Sequence, residues 1–560
     1  MAVRTYGALA HVGDAWVIGA LEPHAIIRLK ALFPQIPIAA GPPFKFRDTP
    51  ERAADLAWFL HRYPLAASAS DIGRLAGAVE KHAAAQDAME MILRADYTPP
   101  PLVGLREGME IRPYQAQAIA LLEASGGLLV GDEVGLGKTF ITAGACLSPG
   151  ALPAIVVYHA HLQRQWCEVI ERFTTLRAHP VKGTRPYGMP ACDVMVFRYS
   201  QIAGWADVIG WMGVGLVAFD EVQDLRRGEE TEKGRAARRL ADHAVRRLGL
   251  SATPIYNYGA EIWNVMRFLN AAALGGFDEF GREWGFGVIR DPKALGTYLR
   301  DSHVFIRRTK ADVGQQMPPV NRIVDTIDYD RVEMASIDDL ARDLAHRATT
   351  GEFIQRGAAT RMLDLRVRHA TGVAKAKSVA TIARILVEGG TPIVLVGWHR
   401  DVYDIWLSEL AHLKPALYTG SETAAGKNAS RDAFVNGQTN LLIMSLRSGA
   451  GLDGLQYRAS TMVFGELDWS PGVHHQCIGR LDREGQKEPV TAIFLVCEDG
   501  SDPPMMEVLG LKAAQASAIV DPSLGVQRVA ADGEGLKRLV RRYLDGKGAA
   551  SPTPTLERAA

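Results

Sequence analysis

Short apolar runs recur along this chain, separated by stretches in which apolar residues return every three or four positions. Between about 110 and 320 the runs Leu128–Val130, Ala154–Tyr158, Val194–Arg198, Leu216–Phe219 and Arg247–Leu250 read as strands. Most are apolar throughout rather than alternately, which marks strands buried on both faces of a parallel sheet. A second series runs from Thr391 to Val496, with strands predicted at Ile393–Val396, Leu441–Met444, Met462–Phe464 and Thr491–Leu495. Helical patterns fill the intervals, so each series predicts an α/β lobe around a parallel sheet. The stretch between the two series is predicted to be mostly helical.

Ahead of these lobes the pattern differs. Trp16–Ile18 and Phe44–Phe46 read as short strands, each followed by a helical stretch, around 22–33 and 50–62, and a third helix is expected over 70–94. The run TPPPL at 98–102 then breaks regular structure, because consecutive prolines fix φ and remove donors. The resulting organisation is a small α+β domain over 1–100, a first lobe over 105–325, a helical connector over 326–372, a second lobe over 373–500 and an extension over 501–560. That extension carries a basic helical pattern at Leu536–Leu544, and its last residues, SPTPTLERAA, are expected to be disordered.

Composition narrows the class without naming a chemistry. An apolar share of 47% over 560 residues supports large cores. The 63 basic and 63 acidic residues balance, so a nucleic-acid site must be a local patch rather than a property of the whole surface. Five cysteines contain no C-x-x-C pair, which argues against a zinc ribbon or a disulfide framework and fits a reducing compartment. The start, MAVRTYGALAHVGDAW, lacks the basic-then-apolar layout of a secretory leader, and no apolar run reaches membrane-spanning length. The expectation is a cytoplasmic protein with no membrane partner, in a bacterium or a phage-infected host cell. Abundant Ala, Arg and Gly fit a GC-rich genome.

The candidate chemistry begins after the first predicted strand, where GDEVGLGKT leads into a helical pattern. A strand, a glycine loop and a helix N-terminus together surround phosphate oxygens with backbone N–H groups. Gly135 and Gly137 permit close backbone approach, Lys138 reaches the β- and γ-phosphates, and the Thr139 hydroxyl is placed to ligate magnesium. The first glycine of the usual pattern is Asp132 here. About eighty residues on, LVAFDEVQD is an apolar strand ending in two carboxylates. Asp220 suits the orientation of Mg2+ and Glu221 the polarisation of an attacking water. Together these predict a nucleotide-hydrolysis site using ATP and Mg2+.

The remaining motifs, taken in order over roughly 110–500, resemble the Swi/Snf-type ATPases of helicase superfamily two. IRPYQAQAI places Arg112, Tyr114 and Gln115 where that family recognises adenine; AIVVYHAHLQRQWCEVIERF resembles its first DNA-tracking motif, with Trp166 at the usual tryptophan; and GLSATPIYN resembles the segment joining hydrolysis to DNA. EIWNVMRFL and FIRRTKADVGQQMPP are specific to this branch. SLRSGAGLDGLQ and ELDWSPGVHHQCIGRLDREGQ resemble motifs V and VI of the second lobe. The resemblance implies two tandem RecA-like lobes with ATP held between them. Arg480 and Arg483 would act as arginine fingers with Gln476 beside them, and their three-residue spacing predicts one helix face. The wording ELDWSPG and the W-x-I strand of the opening segment lean toward the annealing-helicase (HARP-type) branch, bacterial or phage-like.

That resemblance implies an ATP-dependent translocase, expected to be monomeric, that grips the phosphate backbone of double-stranded or branched DNA. The DNA contacts it suggests are Gln163, Ser251, Thr253, Arg308, Lys310, Ser445 and Arg447. A basic helix expected over 233–247 is a further candidate, against the plainer reading of a solvated charged face. A strand-separating helicase and a non-hydrolysing DNA-binding scaffold are the alternatives. Two departures from the family stand out: Gln223 replaces the usual histidine after the acidic pair, and Asp482 replaces a histidine within motif VI.

Overall fold

The first hundred residues build their fold from alternation. Strands β1 (Ala8–Val12), β2 (Ala15–Gly19) and β3 (Phe44–Arg47) form an antiparallel sheet in that order. Trp16 pairs with Phe46 and Ile18 with Phe44, and all four point to one side, because side chains alternate faces along a strand. Helices Pro23–Leu32 and Pro50–Arg62 cover that side with Leu29, Leu56 and Phe59. Thr49 starts the second helix by accepting from the Arg52 N–H at 3.2 Å, with Pro50 in the first turn. β1 went unread in the sequence because ALAHV offers one large apolar residue to the core, Leu9.

The computed structural model describes residues 4–159, 162–255, 261–286, 288–314, 318, 320–350, 353–447, 452–507 and 509, and the chain divides into two compact units between Thr309 and Lys310. The opening module belongs to the first unit. Arg282 Nε donates to the Gln35 carbonyl at 2.5 Å, Tyr298 Oη to Glu51 at 3.0 Å and Gln117 Nε2 to the Ile92 carbonyl at 2.8 Å, fastening the module to the lobe that follows.

That lobe is a sheet of seven parallel strands: β4 (Gly127–Val130), β5 (Ala154–Tyr158), β6 (Ala178–Pro180), β7 (Val194–Arg198), β8 (Leu216–Asp220), β9 (Arg246–Leu250) and β10 (Phe305–Ile306). The order is β10-β4-β9-β8-β5-β7-β6. The five strands predicted for this lobe are present, and all of β4 and β5 is buried. The short β6 and β10 carry too few apolar residues to register as runs.

The second unit holds a parallel sheet of six: β11 (Val320–Thr326), β12 (Ile393–Gly397), β13 (Ala416–Tyr418), β14 (Leu441–Ser445), β15 (Thr461–Phe464) and β16 (Val490–Val496), ordered β11-β16-β15-β12-β14-β13. β11 corrects the expected lobe boundary at 325. It pairs along its whole length with β16, and as an exposed edge strand of sequence VNRIVDT it lacks the apolar run that reveals an inner strand. The boundary expected at 372 falls inside one helix, Phe353–Glu388, whose Ala376, Val379, Ala383 and Val387 enter the second core. The basic segment 536–544 and the final residues lie outside the described residues.

Candidate functional site

Register aligns the first lobe's chemistry. Ile306 pairs with Val130, Val130 with Leu250, and Leu250 with Asp220, so β10, β4, β9 and β8 end level at their carboxyl edge. Ligands of open parallel sheets bind at such an edge. The segments that leave it carry Arg307–Arg308, the loop 131–137, Ser251 and Glu221.

The loop is shaped by its glycines. Gly135 and Gly137 have φ of 95° and 73°, a region that penalises other residues. A Cβ on Gly137 would stand 2.6 Å from the Gln115 amide nitrogen. The helix Lys138–Ala145 starts directly after Gly137, which turns its unpaired N–H groups toward the loop. Lys138 Nζ donates to the carbonyls of Asp132 at 2.5 Å and Glu133 at 3.2 Å. Burial pushes its pKa down to about 8 against the pull of Asp132 and Glu221.

Asp220 and Glu221 stand where β8 ends. Trp166 Nε1 donates to Asp220 Oδ2 at 3.0 Å, and Tyr199 Oη donates to the Asp220 carbonyl at 2.9 Å. Burial, then the neighbouring charge of Glu221, drive the Asp220 carboxyl up to about 7, opposed by Trp166 and Lys138. Glu221 adopts φ 50°, ψ 53°, a left-handed conformation unusual for a residue with a side chain. Its carboxylate accepts from Gln223 Nε2 at 2.6 Å. The glutamine that departs from the family pattern is thus bonded directly to the acid beside it.

These donors suit magnesium nucleotide. Lys138 rests on backbone oxygens that phosphate oxygens can replace, and Asp220 carries a carboxyl whose ionisation a cation would favour. Among the described residues no cluster of three or more His, Cys, Asp or Glu side chains could hold a metal alone. Magnesium commonly takes one or two carboxylates and completes its shell with phosphate and water.

The residues that the resemblance assigns to adenine pack onto the loop. Tyr114 Oη and Gln115 Nε2 both donate to the Leu136 carbonyl, at 3.1 and 3.2 Å, while Gln115 Oε1 accepts from the Arg112 N–H at 3.1 Å. Asp132, at the first-glycine position of the phosphate loop and so a candidate nucleotide-binding residue, is fully buried and ion-paired with Arg308 at 2.5 Å. The resemblance places Trp166 in a DNA-tracking motif. Its hydrogen bond to Asp220 spans 54 residues, which no local pattern reveals.

Several proposed DNA contacts are occupied inside the protein. Arg308 is 8% exposed and spent on Asp132; Lys310 is 5% exposed and pairs with Asp482 at 2.7 Å. The departure at Asp482 therefore has a partner, a lysine where a histidine could not form the same salt bridge. Ser251 and Ser445 are buried, Ser251 Oγ accepts from the Thr253 N–H, and Gln163 accepts from Arg198. Arg447 differs: its side chain is 56% exposed, held by Asp468 at 2.8 Å and stacked 5.2 Å from the Trp398 ring centre. The basic helix ends at His243, because Arg246 and Arg247 belong to β9; on it Lys233 pairs with Asp224, Arg238 with Asp242 and Arg239 with Asp207, which favours the solvated-face reading.

In the second unit the helix Pro471–Ile478 ends before both arginines. Arg480 and Arg483 lie in turns bounded by Gly479 and by Gly485 at φ 95°, which corrects the expected shared helix face. Arg483 Nη1 donates to Asp453 at 2.7 Å, and its Nε to the Gly479 carbonyl at 3.1 Å. Gln476 is on the helix, one turn ahead of Arg480. The carboxyl edge of this sheet also holds Glu466, which accepts from His399 Nδ1 at 2.6 Å and from the Trp398 and His399 N–H groups. Burial alone would raise the Glu466 pKa, but these donors hold it below the usual range.

The chain is similar to one protein family and to several known proteins. The SNF2-related domain family matches residues 53–394. The chain is 24% identical over 414 residues to the SWI/SNF-related matrix-associated actin-dependent regulator of chromatin subfamily A-like protein 1 of Drosophila melanogaster, covering 70% of this chain and 54% of that protein. It is 25% identical over 441 residues to the DNA annealing helicase and endonuclease ZRANB3 of Bos taurus, covering 72% of this chain and 40% of that protein. It is 24% identical over 412 residues to the uncharacterized ATP-dependent helicase YqhH of Bacillus subtilis (strain 168), covering 65% of this chain and 71% of that protein. The chain spans about half the length of the first of these relatives. Among solved structures, the Sulfolobus solfataricus SWI2/SNF2 ATPase core in complex with dsDNA covers 78% of this chain and 100% of its own, at 17% identity and a TM-score of 0.38.

Proposed function

This chain belongs to the SNF2-related domain family, and from that premise we propose that it is a DNA-stimulated ATPase, a motor that tracks along duplex or branched DNA. The observation that carries the reading is the level carboxyl edge of β4, β9 and β8, which brings the Lys138 loop, Ser251 and the Asp220–Glu221 pair onto one line.

In the proposed reaction the ATP phosphates lie against the loop and the N-terminus of the helix Lys138–Ala145. Lys138 exchanges the carbonyls of Asp132 and Glu133 for phosphate oxygens. Thr139 and Asp220 would hold magnesium, which when bound spreads the charge of the β- and γ-phosphates. Glu221 takes a proton from water as the water oxygen bonds to the γ-phosphorus; the bond to the β-phosphate oxygen breaks, and ADP and phosphate leave. Arg480 and Arg483, carried by the second lobe with Gln476, are proposed to meet charge on the transferring group. Arg483 must then give up Asp453.

DNA is proposed as the track, held through its phosphates, with the exposed Arg447 the strongest of the sequence-derived candidates. The names of the relatives, a DNA annealing helicase among them, support DNA as the substrate, and branched DNA is proposed alongside duplex. A monomer acting in the cytoplasm is part of the same proposal; among the described residues no helix is long and apolar enough to cross a membrane.

The test is the ATPase rate without nucleic acid and with duplex, forked and single-stranded DNA and RNA. Stimulation by duplex or fork is expected. Stimulation confined to single strands or RNA would replace the translocase with a strand-separating helicase, and no hydrolysis under any condition would end the motor reading.

The site also predicts a pH profile for binding. Below about 7 Asp220 becomes protonated, so magnesium nucleotide must displace a proton and affinity falls, by about tenfold per pH unit at the limit. Above about 8 Lys138 loses its charge and affinity falls again. Fluorescent-nucleotide titrations across pH should give tightest binding between these values. Trp166→Phe removes a donor that favours the charged carboxylate, so the acid limb should move to higher pH. An acid limb unchanged by Trp166→Phe would show that another group sets it.

A further inference from the structure

We infer that Arg307 and Arg308, at the end of β10, are positioning residues that fix the phosphate loop and tie it to the adenine-side helix, a role assigned to neither residue by the sequence motifs. The inference rests on the nucleotide reading above.

β10 contributes only Phe305 and Ile306 to the sheet, yet its continuation runs beside the loop. The Gly131 N–H donates to the Ile306 carbonyl at 2.7 Å and the Glu133 N–H to the Arg308 carbonyl at 2.9 Å, while the Arg308 N–H donates to Asp132 Oδ1 at 3.0 Å. The Arg308 guanidinium then grips Asp132 with two prongs, Nε to Oδ1 at 3.0 Å and Nη2 to Oδ2 at 2.5 Å. Its remaining nitrogen, Nη1, donates to the Tyr114 carbonyl, and the guanidinium lies 5.1 Å from the centre of the Tyr114 ring. Tyr114 in turn reaches Leu136 at the far end of the loop, so the loop is held at both ends by one tyrosine–arginine pair. Arg307 Nη1 donates to the Gly131 carbonyl at 2.6 Å and more distantly to that of Ala252 at 3.5 Å, joining the segment after β9 to the same point.

The consequence reaches Lys138. Its ammonium rests on the Asp132 and Glu133 carbonyls, and Arg308 fixes both residues. A planar fork with five fixed donors can hold a carboxylate, a carbonyl and a ring face together; a lysine ammonium cannot. A residue that only stabilised the fold would be replaceable by any pair that packs as well, since buried ion pairs are often exchanged for apolar side chains without loss of stability. A residue that positions the loop would not.

Two variants of the full chain separate these roles, each measured by fluorescent-nucleotide binding without hydrolysis, by thermal unfolding and by duplex DNA affinity. Arg308→Lys keeps the charge and loses the fork. The double variant Arg308→Met with Asp132→Leu replaces the pair with apolar side chains. Both are expected to bind nucleotide about tenfold more weakly or worse, because the loop is no longer pre-set. The double variant leaves no unpaired charge and frees only the Arg308 N–H and the Tyr114 carbonyl, so it should still unfold cooperatively within a few degrees of wild type, and duplex affinity should stay within about twofold of wild type, since buried Arg308 has no phosphate contact to lose. A double variant that regains wild-type nucleotide affinity along with its stability would overturn the inference and leave a structural ion pair. So would Arg308→Lys losing duplex affinity with nucleotide binding intact, which would restore the DNA-contact role. A wild-type chain that binds no nucleotide would remove the ATP reading and this inference with it, whereas the two outcomes before it leave that reading standing.

Discussion

Lys138→Ala should lower ATP turnover by about a hundredfold or more and weaken nucleotide binding by roughly tenfold to a hundredfold. It should do so while leaving the unfolding temperature unchanged or raised. The two effects have opposite signs for one reason. Without nucleotide the ammonium is held by two backbone carbonyls, and its packed surroundings push its pKa down to about 8. A base whose pKa is depressed on folding opposes the fold while it stays protonated, so at neutral pH removing the charge removes a penalty. Phosphate oxygens supply what the carbonyls lack, a full opposing charge, and the alanine has nothing to offer them. Thermal unfolding with and without ATP and magnesium checks both halves. The variant should match or exceed wild type when apo and should lose most of the ligand-induced rise. An apo protein that unfolds well below wild type would mean that Lys138 holds the loop together rather than waiting for phosphate.

The parts of this site that sequence made legible are those whose signal is local. GLGKT sits within one strand–loop–helix step, and the structure gives its glycines the left-handed φ that the motif requires. LVAFDE is a strand with its acids at the end, and the strand is found at Leu216–Asp220. The inner strands were legible for a similar reason: a run such as Ile393–Gly397, buried at every position, leaves an unbroken apolar word in the sequence.

What stayed hidden depends on distance along the chain. Arg308 and Asp132 are 176 residues apart, and nothing near either predicts that one neutralises the other. Arg308 and Lys310 in a family motif therefore read as DNA contacts, and burial speaks against that reading. β11 failed for a different reason, since an exposed edge strand shows no core-facing pattern until its neighbour is known. At Arg480 and Arg483 spacing alone was a poor guide, because Gly479 ends the helix before either residue and a three-residue interval in a turn does not define a face.

Glu221→Gln should reduce hydrolysis by about a hundredfold to ten-thousandfold, the range for removing a general base, while keeping or tightening binding of magnesium nucleotide. The geometry supports both parts. Glu221 is held at φ 50°, a conformation that costs about 1–3 kcal/mol and persists where surrounding contacts enforce it. Those contacts include the Gln223 amide on its carboxylate and the Asp224 N–H on its carbonyl at 2.9 Å. A glutamine side chain keeps an oxygen for Gln223 and the same length, so the backbone has no new reason to relax. It cannot accept a proton from water, and hydrolysis is lost. Binding improves because Glu221 is, after burial, the main influence raising the Asp220 pKa. Without that like charge Asp220 ionises at lower pH, so the acid limb of the binding profile moves to lower pH, opposite to the shift expected for Trp166→Phe. Measuring both limbs by fluorescent-nucleotide titration separates the carboxylate that would bind the metal from the one that would take the proton. If Glu221→Gln still hydrolyses ATP at a tenth of the wild-type rate or more, the base is another residue. If instead its acid limb stays in place, the charge of Glu221 does not govern Asp220, and the shared electrostatics argued for the pair would be wrong even if the catalytic role were right.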